Sequence, residues 1–244
     1  MDNIYPPLRL LFSTPFFVAK ASLHRHFRRA RPLLTGLVLD VGCGRKPFLK
    51  HLRSERYYGM EYRTEHGPDF CGDVLDMPVG SGLVDSVICA EVLEHVKDPG
   101  GAIREISRVL KTNGKLYLTA PMLWYHHYEP HDYFRFTRYG LDHMLKDDFE
   151  IIWISRYGGL NYFIANRVSE SIYRALMKAT MITMLRGVAR QRLCLILLAP
   201  VQALLYAYAS IADLFNKRDA AGFALLARKR APVGPSAPSG SPCA

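Results

Sequence analysis

Short apolar runs bounded by glycine, proline and polar residues recur along the chain, and their length suits strands buried on both faces of a parallel sheet. The first, Leu37 to Val41 (L-V-L-D-V), ends at Gly42 and Gly44. Tyr57 to Glu61 reads as a second strand, a short third precedes Gly72, and Val84 to Cys89 and Gly114 to Ala120 read as the fourth and fifth. Phe149 to Ile154 and Gly222 to Lys229 (G-F-A-L-L-A-R-K) complete the set and are expected to pair with each other. Ala90 to Val96 (A-E-V-L-E-H-V) is expected to be helical, as is Arg138 to Lys146 behind a Thr137 N-cap. Strands are expected to alternate with helices throughout, the pattern of an α/β fold.

The most specific chemistry lies in L-V-L-D-V-G-C-G, residues 37–44. Glycines just after a buried strand let a ligand approach the backbone at the carboxyl end of a sheet, as in nucleotide pockets. A dinucleotide site wants a third glycine and holds a pyrophosphate at a helix N-terminus; here Gly44 is followed by Arg45, Lys46 and Pro47. Asp40 at the strand end repels a pyrophosphate but attracts a ligand bearing an ammonium and a sulfonium. S-adenosyl-L-methionine meets that description. Glu61 ends the second strand about 20 residues beyond the loop, the offset at which an acid accepts bonds from ribose hydroxyls. Asp73, after the third strand, is placed to take the adenine amino group.

In order, V-L-D-V-G-C-G, the Glu61 acid, G-D-V-L-D-M-P and A-E-V-L-E-H-V resemble the class I S-adenosylmethionine-dependent methyltransferases. They also closely resemble the methyltransferase type 11 group that includes the ubiquinone-biosynthesis type. The resemblance covers Leu33 to about Arg156, with the last strand at Gly222 to Lys229. It implies a Rossmann-like seven-stranded methyltransferase sheet with helices on both faces and an inserted helical cap between the last two strands. Carried over by position, it implies Asp40, Gly42, Cys43 and Gly44 around the methionine part, Glu61 on the ribose, Asp73 and Val74 at adenine, and Ala90 and Glu91 closing the pocket. The run Arg45, Lys46, Pro47 departs from the small residues many members carry there. Glu94 and His95, on the helix after the fourth strand, are read as standing behind the cofactor residues, with capping or solvating that helix as the alternative.

With 244 residues, 49% of them hydrophobic and 22% charged, the chain can bury one sizeable α/β core with an appendage. Five cysteines without C-x-x-C spacing argue for a reducing compartment and against zinc, and no metal-ligand set is expected. No small-residue cleavage site marks a secretory signal, so the expected location is cytoplasmic. A net charge of +10 suits a nucleic acid or an anionic membrane. Its distribution favours the membrane. His24 to Arg31 and Arg156 to Arg192 are rich in basic residues and lie beside the apolar stretches Leu10 to Val18 and Leu193 to Ala212. The last is charge-free over nearly the length that crosses a bilayer, but the strand at Gly222 must return to the sheet, which disfavours spanning.

The expected organisation is therefore 1–32, an N-terminal basic and apolar helical segment; 33–159, the cofactor-binding core; 160–218, an inserted hydrophobic and basic helical cap; 219–230, the final core strand; and 231–244, a disordered tail. The cap is read as lying on a membrane, over the cleft, or simply packed on the domain. Peripheral placement on the cytoplasmic membrane face goes with the first of these. Nothing in the sequence specifies an oligomeric state.

The loop after the fifth strand, Pro121 to Leu141, stands where a methyl donor should point and is crowded with aromatic and histidine residues. Its spacing H-x-x-P-x-D-Y-x-R-x-T resembles a subgroup of bacterial methyltransferases associated with surface glycans, lipids and other secondary products. Methyl transfer from a sulfonium is an in-line displacement that needs a base only when the acceptor loses a proton. His127 is the first candidate, with Asp132 or Glu129 orienting its ring; His131 and His126 follow. The competing reading makes Asp132 and Arg135 a pair that pins the loop. A small-molecule, glycan or lipid-linked acceptor attacked through oxygen is the leading function. The alternatives are an RNA methyltransferase, although the N/D-P-P-Y-like segment of adenine-N6 enzymes is missing and nucleic acid is disfavoured, and a non-catalytic S-adenosylmethionine-binding protein.

Overall fold

The computed structural model describes residues 17–52, 54, 56–180, 187–216 and 218–231. The tail expected to be disordered and most of the apolar stretch 10–18 lie outside them. Among these residues, seven strands form one sheet in the order β3-β2-β1-β4-β5-β7-β6. They are β1 (Leu37–Val41), β2 (Arg56–Glu61), β3 (Phe70–Cys71), β4 (Val84–Ala90), β5 (Leu110–Pro121), β6 (Phe149–Tyr157) and β7 (Gly222–Lys229). The first five pair in parallel, and β7 runs antiparallel to both β5 and β6. The seven-stranded α/β architecture with a helical insertion before its last strand is the expected one.

Side-chain alternation divides the core in two. Leu39, Val41, Val87, Cys89, Leu116 and Leu118 face one side, with Leu225 and Ala227 of β7. Their neighbours Val38, Ile88, Tyr117 and Leu226 face the other. Helices α2 (Pro99–Val109) and α3 (Arg138–Leu145) cover the first side through Ile103, Ile106, Leu141 and Leu145. Each starts on a side-chain cap. Asp98 Oδ1 accepts from Gly101 N at 2.8 Å with Pro99 in the first turn, and Thr137 Oγ1 accepts from Gly140 N at 3.0 Å. The second side is sealed by α1 (Phe17–Ala30), whose Phe27 packs on Phe48 and Tyr117 with ring centroids 4.4 and 5.5 Å away.

Strands do not alternate with helices throughout, contrary to expectation. The β1–β2 connection holds one 3₁₀ turn, Leu49–His51, and the β2–β3 connection another, Thr64–His66. Ala90 to Val96 is not a helix either: β4 runs on to Ala90, and Leu93–His95 makes a single 3₁₀ turn. Both departures have a physical cause. The sheet face that a helix after β1 would cover is already taken by α1. The Asp98–Pro99 start of α2 follows His95 too closely for A-E-V-L-E-H-V to form a helix of its own.

Between β6 and β7 the chain forms α4 (Leu160–Ala179) and α5 (Gly187–Phe215). They pack on α1 through Phe17, Ala21, Tyr162, Ala165, Ala199 and Ala209. Length and composition would let α5 cross a membrane. The chain nevertheless re-enters the sheet at Gly222, between β5 and β6.

Phe27 is fully buried where α1 meets the sheet. Phe27→Ala is expected to lower the unfolding free energy by about 3–5 kcal/mol, and Phe27→Leu by clearly less. Urea denaturation followed by circular dichroism measures both; equal small losses would mean that α1 does not seal this face.

Candidate active site

Because β1 to β5 are parallel, the residues after their carboxyl ends gather along one edge of the sheet. Asp40 lies inside β1, between Gly59 of β2 and Ile88 of β4, and is 1% exposed. Its Oδ2 accepts from the Tyr57 hydroxyl. Burial pushes the carboxyl up to about 7 against the lowering effect of that bond, and the nearby Glu61 charge adds to the rise.

The loop beyond β1 turns through two left-handed glycines. Gly42, at φ +64°, would place a Cβ 2.5 Å from Val92 Cγ2, so a side chain is excluded. Gly44, at φ +48°, looks into open space. Its N–H donates to Glu61 Oε2 at 3.0 Å, while Tyr62 N donates to Oε1 at 2.9 Å. Cys43 is buried and tied through its N–H to Met60 O at 3.1 Å. The departure at Arg45 to Pro47 leaves the cradle open, since Lys46 turns away to Asp69 Oδ1 at 2.7 Å. Asp69 is held below its ordinary range by Gly59 N–H and by that lysine.

Asp73 follows β3 and accepts from Leu75 N at 2.9 Å, while its neighbour Val74 is buried in the core. Ala90 ends β4. Glu91, at φ +56°, turns its carboxylate toward Thr119 Oγ1 and Tyr157 OH, both donating to Oε1 at 2.8 and 2.9 Å. Burial raises its carboxyl above the usual range.

The loop between β5 and α3 closes over the same edge. Arg135 grips Asp132 with two parallel bonds of 2.6 and 2.8 Å and also donates to Tyr125 O at 3.0 Å. The guanidinium holds the Asp132 carboxyl far below its usual range. Asp132 Oδ2 also accepts from His127 N at 3.0 Å. His127 Nδ1 sits 3.2 Å from Tyr125 O and 3.6 Å from Asp132 Oδ2. A carbonyl only accepts, so Nδ1 carries the proton and Nε2 keeps its lone pair. Burial, then the neighbouring His95, lowers the His127 ring below its ordinary value. His131 is exposed and bonds Tyr133 OH at 2.9 Å, and His126 is largely exposed at 3.7 Å from Asp132. Asp132 thus pins the loop and touches the His127 backbone, and the closest partner of the His127 ring is Tyr125 O.

Glu94, read as standing behind the site or as capping, is fully buried, and among the described residues neither carboxyl oxygen has a hydrogen-bond partner. Burial, with Glu91 nearby, raises its carboxyl well above the usual range. Its carbonyl receives Tyr133 N at 2.8 Å, which fastens the loop to the turn beneath it. His95 donates from Nδ1 to His131 O at 2.6 Å and stacks edge-on against His127, centroids 4.7 Å apart. Ligand atoms of Glu94, His95 and His127 lie within 4.8 Å of one another, a set that could hold a divalent cation and that sequence spacing did not reveal. The available signal was Asp98–Pro99, which denies the segment a helix and folds Glu94 under the loop.

The cap reaches this loop. Trp124 meets Phe163 of α4 edge-on at 6.3 Å, and Arg167 of α4 lies 4.4 Å over the Tyr125 ring.

A methyltransferase-domain family model matches residues 39–118, from β1 through β5. A ubiquinone biosynthesis O-methyltransferase of Xanthomonas oryzae pv. oryzae is 31% identical over 105 residues, covering 34% of this chain and 41% of that protein. The chain thus spans less than half the length of this relative. Among solved structures, a sarcosine dimethylglycine methyltransferase from Galdieria sulphuraria superposes with TM-score 0.55 at 14% identity, covering 86% of this chain and 87% of that one. A phosphoethanolamine N-methyltransferase 2 from Haemonchus contortus, in complex with S-adenosyl-L-methionine, gives 0.53 at 14% identity over 86% of this chain and 52% of that one. The open glycine cradle and the buried acid behind it fit S-adenosylmethionine, the cofactor of this domain. Residues 39–118 thus match a methyltransferase domain, and the sheet order and ordered motifs around them are similar to those of the class I S-adenosylmethionine-dependent methyltransferases.

Proposed function

We infer that the protein transfers a methyl group from S-adenosylmethionine to an oxygen of a small-molecule, glycan or lipid-linked acceptor. The observation that carries this reading is His127, whose Nε2 is free to take a proton while its Nδ1 is fixed on Tyr125 O. It stands in the loop over the sheet edge that carries Asp40, Gly44 and Glu61. The O-methyltransferase name of the Xanthomonas oryzae relative supports oxygen as the acceptor atom. In this reading the enzyme works in the cytoplasm, peripherally on the membrane face when its acceptor is lipid-linked.

Asp40, Gly42, Cys43 and Gly44 hold the methionine end, Glu61 takes the ribose, Asp73 and the backbone of Val74 meet the adenine, and Ala90 and Glu91 close the pocket. The bound cofactor supplies an electrophilic methyl on a positively charged sulfur. His127 would remove the acceptor's hydroxyl proton as the acceptor oxygen takes that methyl, the electron pair of the broken C–S bond staying with the sulfur. Asp132 and Arg135 keep the loop, and therefore the imidazole, in place. Trp124 and Tyr125, backed by α4, form an apolar wall for the acceptor and exclude water. A ring whose affinity for protons is lowered stays neutral, and so basic, through the neutral range.

Two outcomes test this reading. A cation binding against Asp40 requires its ionised form, and the free carboxyl titrates at about 7. Cofactor affinity is therefore expected to fall about tenfold per pH unit below 7 and to level off above it. Asp40→Asn should bind more weakly at pH 8 and lose that dependence, and Glu61→Ala should weaken binding at every pH. Titration calorimetry reads all three, and a pH-independent wild type would remove Asp40 from the site.

His127→Ala is expected to bind the cofactor unchanged and to lower turnover by about 10²–10⁴-fold. Since burial lowers the His127 value, the wild-type rate should rise through a midpoint below the ordinary histidine range and stay flat above it. Labelled-methyl transfer measured against pH checks both, and undiminished turnover in the variant would end the case for His127 as base.

A further inference from the structure

Helix α5 carries a face that no other described element covers. Its inward side holds Cys194, Leu198, Gln202, Ala209 and Asp213. Its outward side repeats at three- and four-residue spacing through Ile196, Leu197, Leu204, Tyr208, Ile211 and Phe215, and every exposed position from 196 to 215 is uncharged. Leu204 is 72% exposed and Phe215 86%. A helix facing water carries charges on that side, in a chain whose net charge is +10 all the more.

Charge borders the stripe without entering it. The sole acid of α5, Asp213, is buried and bonded to Asn161 at 2.9 Å. Thr180 meets Cys194 Sγ at 3.4 Å, which brings Lys178 at the end of α4 beside the first turns of α5 with Arg192. Arg25 of α1 reaches Tyr206 OH at 2.6 Å. At the far end Arg218 follows Phe215 and, with Arg138, Tyr139 and Met122, lines a cavity of about 450 Å³ beside the loop that carries His127.

We propose that α5 docks lengthwise into the surface of an anionic bilayer, its stripe from Ile196 to Phe215 at the headgroup–acyl boundary and the bordering cations on lipid phosphates. An apolar strip with basic flanks and no exposed acid matches that surface. The helix lies in the plane of the membrane. Gln202 and Asp213 are packed into the protein, and the chain on either side of the helical pair is held in the same sheet through β6 and β7. This docking stands on α5 alone, independently of the acceptor, and it would set the Arg138–Arg218 cavity at the lipid surface.

The test is flotation of the full chain with vesicles of phosphatidylcholine, alone or mixed with phosphatidylglycerol. Capture is expected on the mixed vesicles, weakening about fivefold for each of Lys178→Ala and Arg192→Ala. The pair Leu204→Glu and Ile211→Glu should abolish capture while circular dichroism and cofactor calorimetry stay unchanged, which separates this result from the methyl-transfer reading. No capture by wild type, or capture indifferent to the two glutamates, would overturn the proposal. So would self-association in the absence of lipid that the glutamates dissolve, because the face would then belong to a second copy. Capture that resists alkaline carbonate would replace the in-plane arrangement with a spanning one.

Discussion

Parallel pairing of β1 with β2 and β4, and of β4 with β5, points every strand of the first half of the sheet the same way. Side chains from distant parts of the sequence therefore reach one edge without long-range loops of their own. Glu61 bonds the Gly44 amide because β1 and β2 end side by side. The His127 loop meets the Glu94 turn because β4 and β5 do. A strand reversed at any of these positions would carry its acid to the opposite edge.

The same edge concentrates buried acid. Asp40, Glu91 and Glu94 all lie in low-dielectric surroundings that favour the neutral form, and each is raised for that reason first. They differ in how they are satisfied. Asp40 has a tyrosine hydroxyl, Glu91 has a threonine and a tyrosine, and Glu94 has no hydrogen-bond donor among the described residues. Arg135, the cation nearest Glu91 and Glu94 among the described arginines and lysines, is committed to Asp132 and three backbone carbonyls. A net charge of +10 thus coexists with a sheet edge rich in buried acid, because pairing and position, not totals, decide the local field.

What could be read in the sequence follows from how local its cause is. The strands were legible because burial on both faces demands unbroken apolar runs, and Thr137 was legible because a cap acts within three residues. The motif acids were legible because strand ends fix their edge. The 3₁₀ turns after β1, β2 and β4 were not, because a helix from before β1 takes the place of one after it, and contacts such as Phe27 on Tyr117 span 90 residues of sequence. The full burial of Glu94 was not legible for a related reason: it comes from Tyr133 and its loop, which close over it from the next connection. Asp132 was legible in both of its roles, and only the bidentate geometry with Arg135 showed which one its carboxylate is committed to.

The insertion between β6 and β7 is placed where the fold tolerates length. Because those strands are antiparallel neighbours, a two-residue turn would join them, and each doubling of the connection adds only about 0.6 kcal/mol of closure entropy. The added helices return that through packing on α1, and they also reach the active-site loop: Phe163 and Arg167 of α4 hold Trp124 and Tyr125, and Ala221, just before β7, receives the amides of Met122 and Leu123 at 2.9 Å. Both ends of the His127 loop's first segment are thereby referred to the insertion. A displacement of α4 or α5 against the sheet would move Tyr125, whose carbonyl fixes the His127 tautomer and whose partner Arg135 fixes Asp132. The insertion and the loop are thus joined by two ring contacts of α4 and by the Ala221 carbonyl, so the loop is braced from outside the parallel half of the sheet as well as from within it.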